Sequence, residues 1–195
     1  MGCDKASQKL SALARIASFM KTDQKRRIMK AFISSQFGYC PLVWMFCSRR
    51  LNNRMNRIQE RALRIVYYDK SSSYEELLEK DSSVSIHCRN LQVLATEIYK
   101  SKNNISPSVM QEIFTVIEPK YNLRRNTIFQ QRKVRTQKYG IESLKYLGPK
   151  IWELVPTDIK LSESLEVFKS KIKNWKTDAC PCKICKIYIP NLGYL

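Results

Sequence analysis

Arg50, Arg54, Arg57, Arg61 and Arg64 recur at spacings of four, three, four and three within RRLNNRMNRIQERALRIV, residues 49–66. On a helix this places five planar, permanently charged donors in one row, each about a turn from the next, a geometry suited to a phosphate backbone. Leu51, Met55, Ile58, Ala62 and Ile65 repeat the spacing one residue later. A step of one residue turns about 100° around the axis, so the arginine row runs beside an apolar stripe, along the rim where core meets solvent. A solvated rim whose aliphatic stems cover the core is the competing reading of the same row.

A second group with chemistry is the C-x-C-x2-C of Cys180, Cys182 and Cys185, flanked by Lys183 and Lys186. Its thiolates are close enough in sequence to bind one ion, and the lysines favour the thiolate form. A structural zinc takes four ligands, and the sequence leaves the fourth unidentified. His87 is the only histidine, and Cys3, Cys40, Cys47 and Cys88 lie far away in sequence. Free thiols in a terminal turn are the alternative. A redox dithiol of Cys182 and Cys185 lacks a strand-to-helix setting. His87 and Cys88 adjoin on a helical pattern, where neighbouring side chains point apart, so His87 is expected to be structural.

Catalytic patterns are missing. There is no GxGxxG, P-loop, HExxH or GxSxG. Asp69, in YYDKS, stands alone, and no acidic pair adjoins an apolar strand to hold two cations for nucleotidyl transfer. No enzymatic activity is expected, and no resident cofactor beyond a structural zinc.

The elements that must carry these residues are mostly helical. Residues 5–19 put Leu10, Leu13, Ala14 and Ala17 on one face, and Asp23 suits the cap of a second helix ended by Gly38 and Pro41. PLVWMF reads as a short core segment. SSSYEELLEK has a serine cap with glutamates in the first turn, and residues 84–101 turn Leu91, Leu94, Ala95 and Ile98 inward. After Pro119, Val134, Thr136 and Lys138 alternate before Tyr139-Gly140, the pattern of a β-hairpin. GPKIWELVP then reads as a short helix closed by Pro156, and SESLEVFKSKIKNW as a capped helix with Leu165, Phe168 and Ile172 inward. Lys169, Lys171, Lys173 and Lys176 make its outer side cationic, with Lys169 and Lys173 the candidate phosphate contacts. The expected fold is mainly α: a helical bundle, then a smaller α+β region with one hairpin and a Cys-rich tail.

The chain has 195 residues, a net charge of +18 and 44% hydrophobic residues, enough to bury a core. Residues 1–70 hold 15 basic and 4 acidic residues, 71–118 hold 4 and 7, and 119–195 hold 16 and 6. These blocks frame a basic helical segment (1–70), a helical connector (71–118) and a basic C-terminal region (119–195). Two basic ends favour polyanions, with RNA, DNA or their hybrid preferred to a membrane. No apolar run nears the roughly 20 residues of a membrane span, no secretory leader is evident, and MGCDKA has Ala6 where a myristoylation signal wants Ser or Thr. Seven cysteines without a leader suit reduced thiols and an intracellular setting, nuclear or in a cytoplasmic ribonucleoprotein.

KASQKLSALARIASFM, RRIMKAFISSQFGYCPLVWMF, RLNNRMNRIQERALRIVYYD, YNLRRN, YGIESLKYLGPKIWELVP, SESLEVFKSKIKNW and CPCKIC, in that order, resemble the C-terminal end of a non-LTR (LINE-type, jockey-like) retrotransposon reverse transcriptase. The resemblance runs from about Asp4 to Leu195. It implies that the segment through Tyr68 corresponds to the helical thumb, which grips the template and primer duplex, and that the segment after Pro119 corresponds to the element-specific C-terminal region. The family's palm carries a Phe/Tyr-x-Asp-Asp pair that holds catalytic magnesium. This chain has none, so polymerase activity does not carry over. Some relatives end in a Cys-Cys-His-Cys zinc knuckle, from which this tail departs by lacking the His and the fourth Cys. A module docking onto a palm and fingers supplied by another chain, with PLVWMF as its apolar contact, is the alternative; an element relic without function would carry the same charge pattern.

Overall fold

The computed structural model describes residues 2–46, 48–116, 129–130 and 133–182. These are mainly helical, and the one β pairing among them is an isolated antiparallel bridge between Val116 and Phe129. The chain forms two compact units, one of the described residues up to His87 and one from Cys88 onward.

The first unit contains α1 (Gly2–Ile16), α2 (Thr22–Ile28), α3 (Pro41–Trp44), α4 (Arg49–Tyr67) and α5 (Tyr74–Lys80). α2 continues through a π turn at Met29–Ile33 and a 3₁₀ turn at Ser34–Phe37. Against α4 pack α1, α2 and α5, with Leu10, Leu13, Ile33, Met55, Leu63 and Leu77 among the core residues. With neighbours on several sides, α4 buries more than one stripe: Asn52, Asn56, Glu60, Leu63 and Val66 join Met55, Ile58 and Ala62, whereas Leu51 and Ile65 are half-buried. α1 likewise turns inward along Cys3, Ala6, Leu10 and Leu13, leaving Ala14 exposed.

Two local expectations are corrected. Asp23 lies inside the first turn of α2, whose N-cap is Lys21; the Gln24 side chain accepts the Lys21 N–H (3.0 Å). PLVWMF is a core segment only in part: Met45 is buried and Trp44 packs against the core, but Val43 is 85% exposed because the run folds into one short helical turn that presents a single side inward. The α4 and α5 caps follow the sequence. Ser48 Oγ accepts from Leu51 N–H, and Ser73 and Glu76 exchange side-chain-to-backbone bonds of 3.2 and 2.8 Å in a capping box.

The second unit contains most of α6 (Ile86–Lys102), with α7 (Ser108–Ile113), α8 (Leu144–Glu153), α9 (Thr157–Lys160) and α10 (Leu165–Ile172). Leu91, Leu94, Ala95 and Ile98 of α6 are buried as their spacing predicts, and so are Phe168 and Ile172 of α10, while Leu165 is half-buried. Tyr99, Trp152 and Phe168 stack at centroid distances of 4.3 and 6.1 Å, and Phe129 meets Trp152 edge-on at 6.3 Å. Gly148 of α8 has Phe114 lying against it so closely that a Cβ would collide with the ring.

The expected hairpin is absent. Gln137–Ile141 forms a wide helical turn in which Ile141 N–H donates to Thr136 O (3.1 Å) and Glu142 N–H to Gln137 O (3.0 Å). The alternation before it is too short to build a ladder, and Gly140 lets the backbone close on Val134, where a Cβ would sit 2.8 Å from the valine Cβ. Of the Cys-rich tail, Cys180 and Cys182 belong to the described residues; Cys185 lies outside them, as does YNLRRN.

Candidate functional site

The arginine row divides by environment. Arg50, Arg54, Arg57 and Arg61 are exposed on α4, and Arg64 is not. Arg64 pairs with Glu60 one turn back (2.7 Å), their side chains 16% and 3% exposed, and donates to the Asp69 carbonyl (3.4 Å). Arg54 makes an ion pair with Asp4 of α1, which holds the Asp4 carboxyl below its ordinary range. Among the described residues no carboxylate pairs with Arg50, Arg57 or Arg61. These three span about 16 Å of helix, long enough to meet several phosphates. On α10, Lys169 and Lys173 are exposed, as expected of its outer side.

Asp69, the lone acid after α4, is committed to structure. Its carboxylate accepts from Ser71 N–H (3.2 Å), Ser72 N–H (3.0 Å), Ser72 Oγ (2.8 Å) and Lys80 Nζ (3.1 Å), tying the turn between α4 and α5. The Ser72 backbone bond foremost holds its carboxyl well below the usual range. A depressed folded-state value stabilises the fold above the ordinary carboxylate pKa of 3.8, and this contribution is lost as pH falls through and below it. The urea midpoint is therefore expected to drop between about pH 6 and about pH 3, and to drop less in Asp69→Asn. An identical acid profile for the variant would remove Asp69 from this role.

The segment after α10 is anchored along α6. Gln92 Nε2 donates to the carbonyls of Lys173 (3.0 Å) and Trp175 (2.9 Å), and Cys88 Sγ donates to Trp175 O (3.7 Å). Burial pushes the Cys88 thiol up to about 11, so it serves as a weak donor and not as a nucleophile. Farther along, Cys180 and Cys182 are buried with their sulfurs 3.3 Å apart. His87, in the first turn of the same continuous helix, is also buried. The ligand atoms of His87, Cys180 and Cys182 all lie within 4.8 Å of one another, the arrangement of a metal-ligand cluster. Sequence spacing points to Cys180 and Cys182, together with Cys185, while the helical pattern shared with Cys88 makes His87 an expected structural residue. The sole histidine opening an amphipathic helix was the available signal.

The first unit also has a groove of about 610 Å³, lined by Phe37, Tyr39, Val43, Trp44, Leu51 and Met55 among others. Among the described residues, no helix is long and apolar enough to cross a membrane. No family model, curated protein or solved structure matches the chain.

Proposed function

We propose that the chain is a fragment of a non-LTR retrotransposon reverse transcriptase, without the catalytic aspartate pair, that binds RNA, DNA or their hybrid non-specifically inside the cell. The observation that carries this reading is the trio Arg50, Arg57 and Arg61, exposed on one capped helix without carboxylate partners among the described residues. The net charge of +18 and the order of the sequence motifs support it. Guanidiniums on a helix rim contact phosphates and leave base edges unread, so affinity dominates over sequence preference.

The test is fluorescence anisotropy against a labelled RNA/DNA hybrid, with single-stranded and duplex controls, over a salt series. The triple variant Arg50→Gln, Arg57→Gln, Arg61→Gln is expected to bind more weakly and to lower the slope of log K against log salt by about 2 to 3, close to one per phosphate contact. An unchanged slope in a folded variant would end the assignment to α4. Primer extension with magnesium is expected to give no product, for want of paired carboxylates.

The apolar groove favours a second reading. Tyr39 and Val43, 80% and 85% exposed, border it and offer a surface to a palm domain in another chain. Light scattering of the chain alone and with a separately made palm domain distinguishes the two.

A further inference from the structure

We propose that His87, Cys180 and Cys182 hold one zinc ion and that the ion clasps the segment after α10 to the first turn of α6. Two sulfurs and an imidazole form the borderline-soft donor set that zinc selects over magnesium or calcium. All three side chains are at least nine-tenths buried, with Cys180 1%, Cys182 3% and His87 5% exposed. With zinc–sulfur bonds of about 2.3 Å and zinc–nitrogen bonds of about 2.0–2.1 Å, tetrahedral ligands stand roughly 3.5–3.8 Å apart. The cluster, with 3.3 Å between its sulfurs and every ligand-atom pair within 4.8 Å, needs adjustments of no more than about 1.3 Å to close on an ion. The sulfur separation also exceeds the roughly 2.05 Å of a disulfide.

The backbone is already arranged for this. Gln92 and Cys88 fix the Trp175 carbonyl against α6 within about a turn and a half of His87. Pro181, between the two cysteines, locks its own φ while both neighbouring thiols are buried. Binding releases the thiol protons to solvent and leaves thiolates on the metal. Unlike a local zinc knuckle, this site joins a helix to a tail distant in sequence. It does not depend on nucleic-acid binding and tests separately from it.

The experiment uses the full reduced chain loaded with zinc or with cobalt(II) alone. One zinc per chain is expected to survive desalting, and cobalt is expected to show tetrahedral d–d bands with thiolate charge transfer. His87→Ala, Cys180→Ser and Cys182→Ser are each expected to weaken metal binding at least tenfold, whereas exposed Cys40→Ser leaves it unchanged. His87→Cys guards against a folding defect at the buried position: it is expected to keep the metal and to gain charge-transfer intensity. A wild-type chain that loses zinc on desalting overturns the site, its thiols then being small core residues. Wild-type stoichiometry and cobalt spectrum in His87→Ala overturn the helix-to-tail clasp.

Discussion

Arg64→Gln is expected to destabilise the first unit by about 3 kcal/mol, whereas Arg57→Gln changes its stability by less than about 0.5 kcal/mol. The two arginines belong to one row on one helix and differ in what surrounds them. Glu60 is 2% exposed, and Arg64 reaches its Oε1 with Nη2 at 2.7 Å and Nε at 3.2 Å. Glutamine cannot supply that charge, so the carboxylate stays buried without its guanidinium, a loss usually worth about 3–5 kcal/mol. The low end applies because Arg64 keeps 16% of its side-chain exposure. Arg57 stands in solvent and forms no such pair among the described residues. Urea denaturation measures the contrast, and anisotropy below the transition should show Arg64→Gln with an undiminished salt slope. The double variant Glu60→Leu, Arg64→Met is expected to recover much of the loss, since it removes both charges together. Equal stability of the two single variants would mean that the row is uniform and that Arg64 belongs with the phosphate contacts.

That contrast marks where sequence spacing stops being informative. A period of three and four places five arginines on a face, but whether a carboxylate four residues back is buried beside one of them depends on what packs over Glu60. The helices themselves were legible: Ser48, Ser73 and Ser164 cap α4, α5 and α10 through local side-chain-to-backbone bonds that sequence spacing encodes directly. The hairpin was not, because three alternating residues fit a wide turn as well as a strand, and the close approach of Gly140 to Val134 decides between them. Nor was the burial of PLVWMF, since apolar composition does not say how much neighbouring surface exists to cover it. His87 is the sharpest case. Its meeting with Cys180 and Cys182 arises from the path of the chain after α10, fixed by Gln92 carbonyl contacts that no periodicity reveals.

Trp152→Ala is expected to cost the second unit about 3–5 kcal/mol, a large share of the roughly 5–15 kcal/mol that holds a typical domain together. Trp152 is 2% exposed; it stacks on Phe168 and takes the Phe129 ring edge-on, and Phe168 in turn stacks on Tyr99. These rings join α6, α8 and α10, so truncation opens a cavity shared by three helices that cannot all move inward to fill it. The indole Nε1 has no hydrogen-bond partner among the described residues, which makes Trp152→Phe the informative companion. Phenylalanine loses part of the ring area but also removes a buried, unsatisfied donor worth about 1–3 kcal/mol, so the two effects oppose. The expected order is a small change for Phe and a loss several times larger for Ala, read from the urea midpoint, with near-UV circular dichroism reporting the aromatic stack. If Phe costs as much as Ala, the indole nitrogen is engaged in the folded protein and the ring contacts alone do not account for its place in the core.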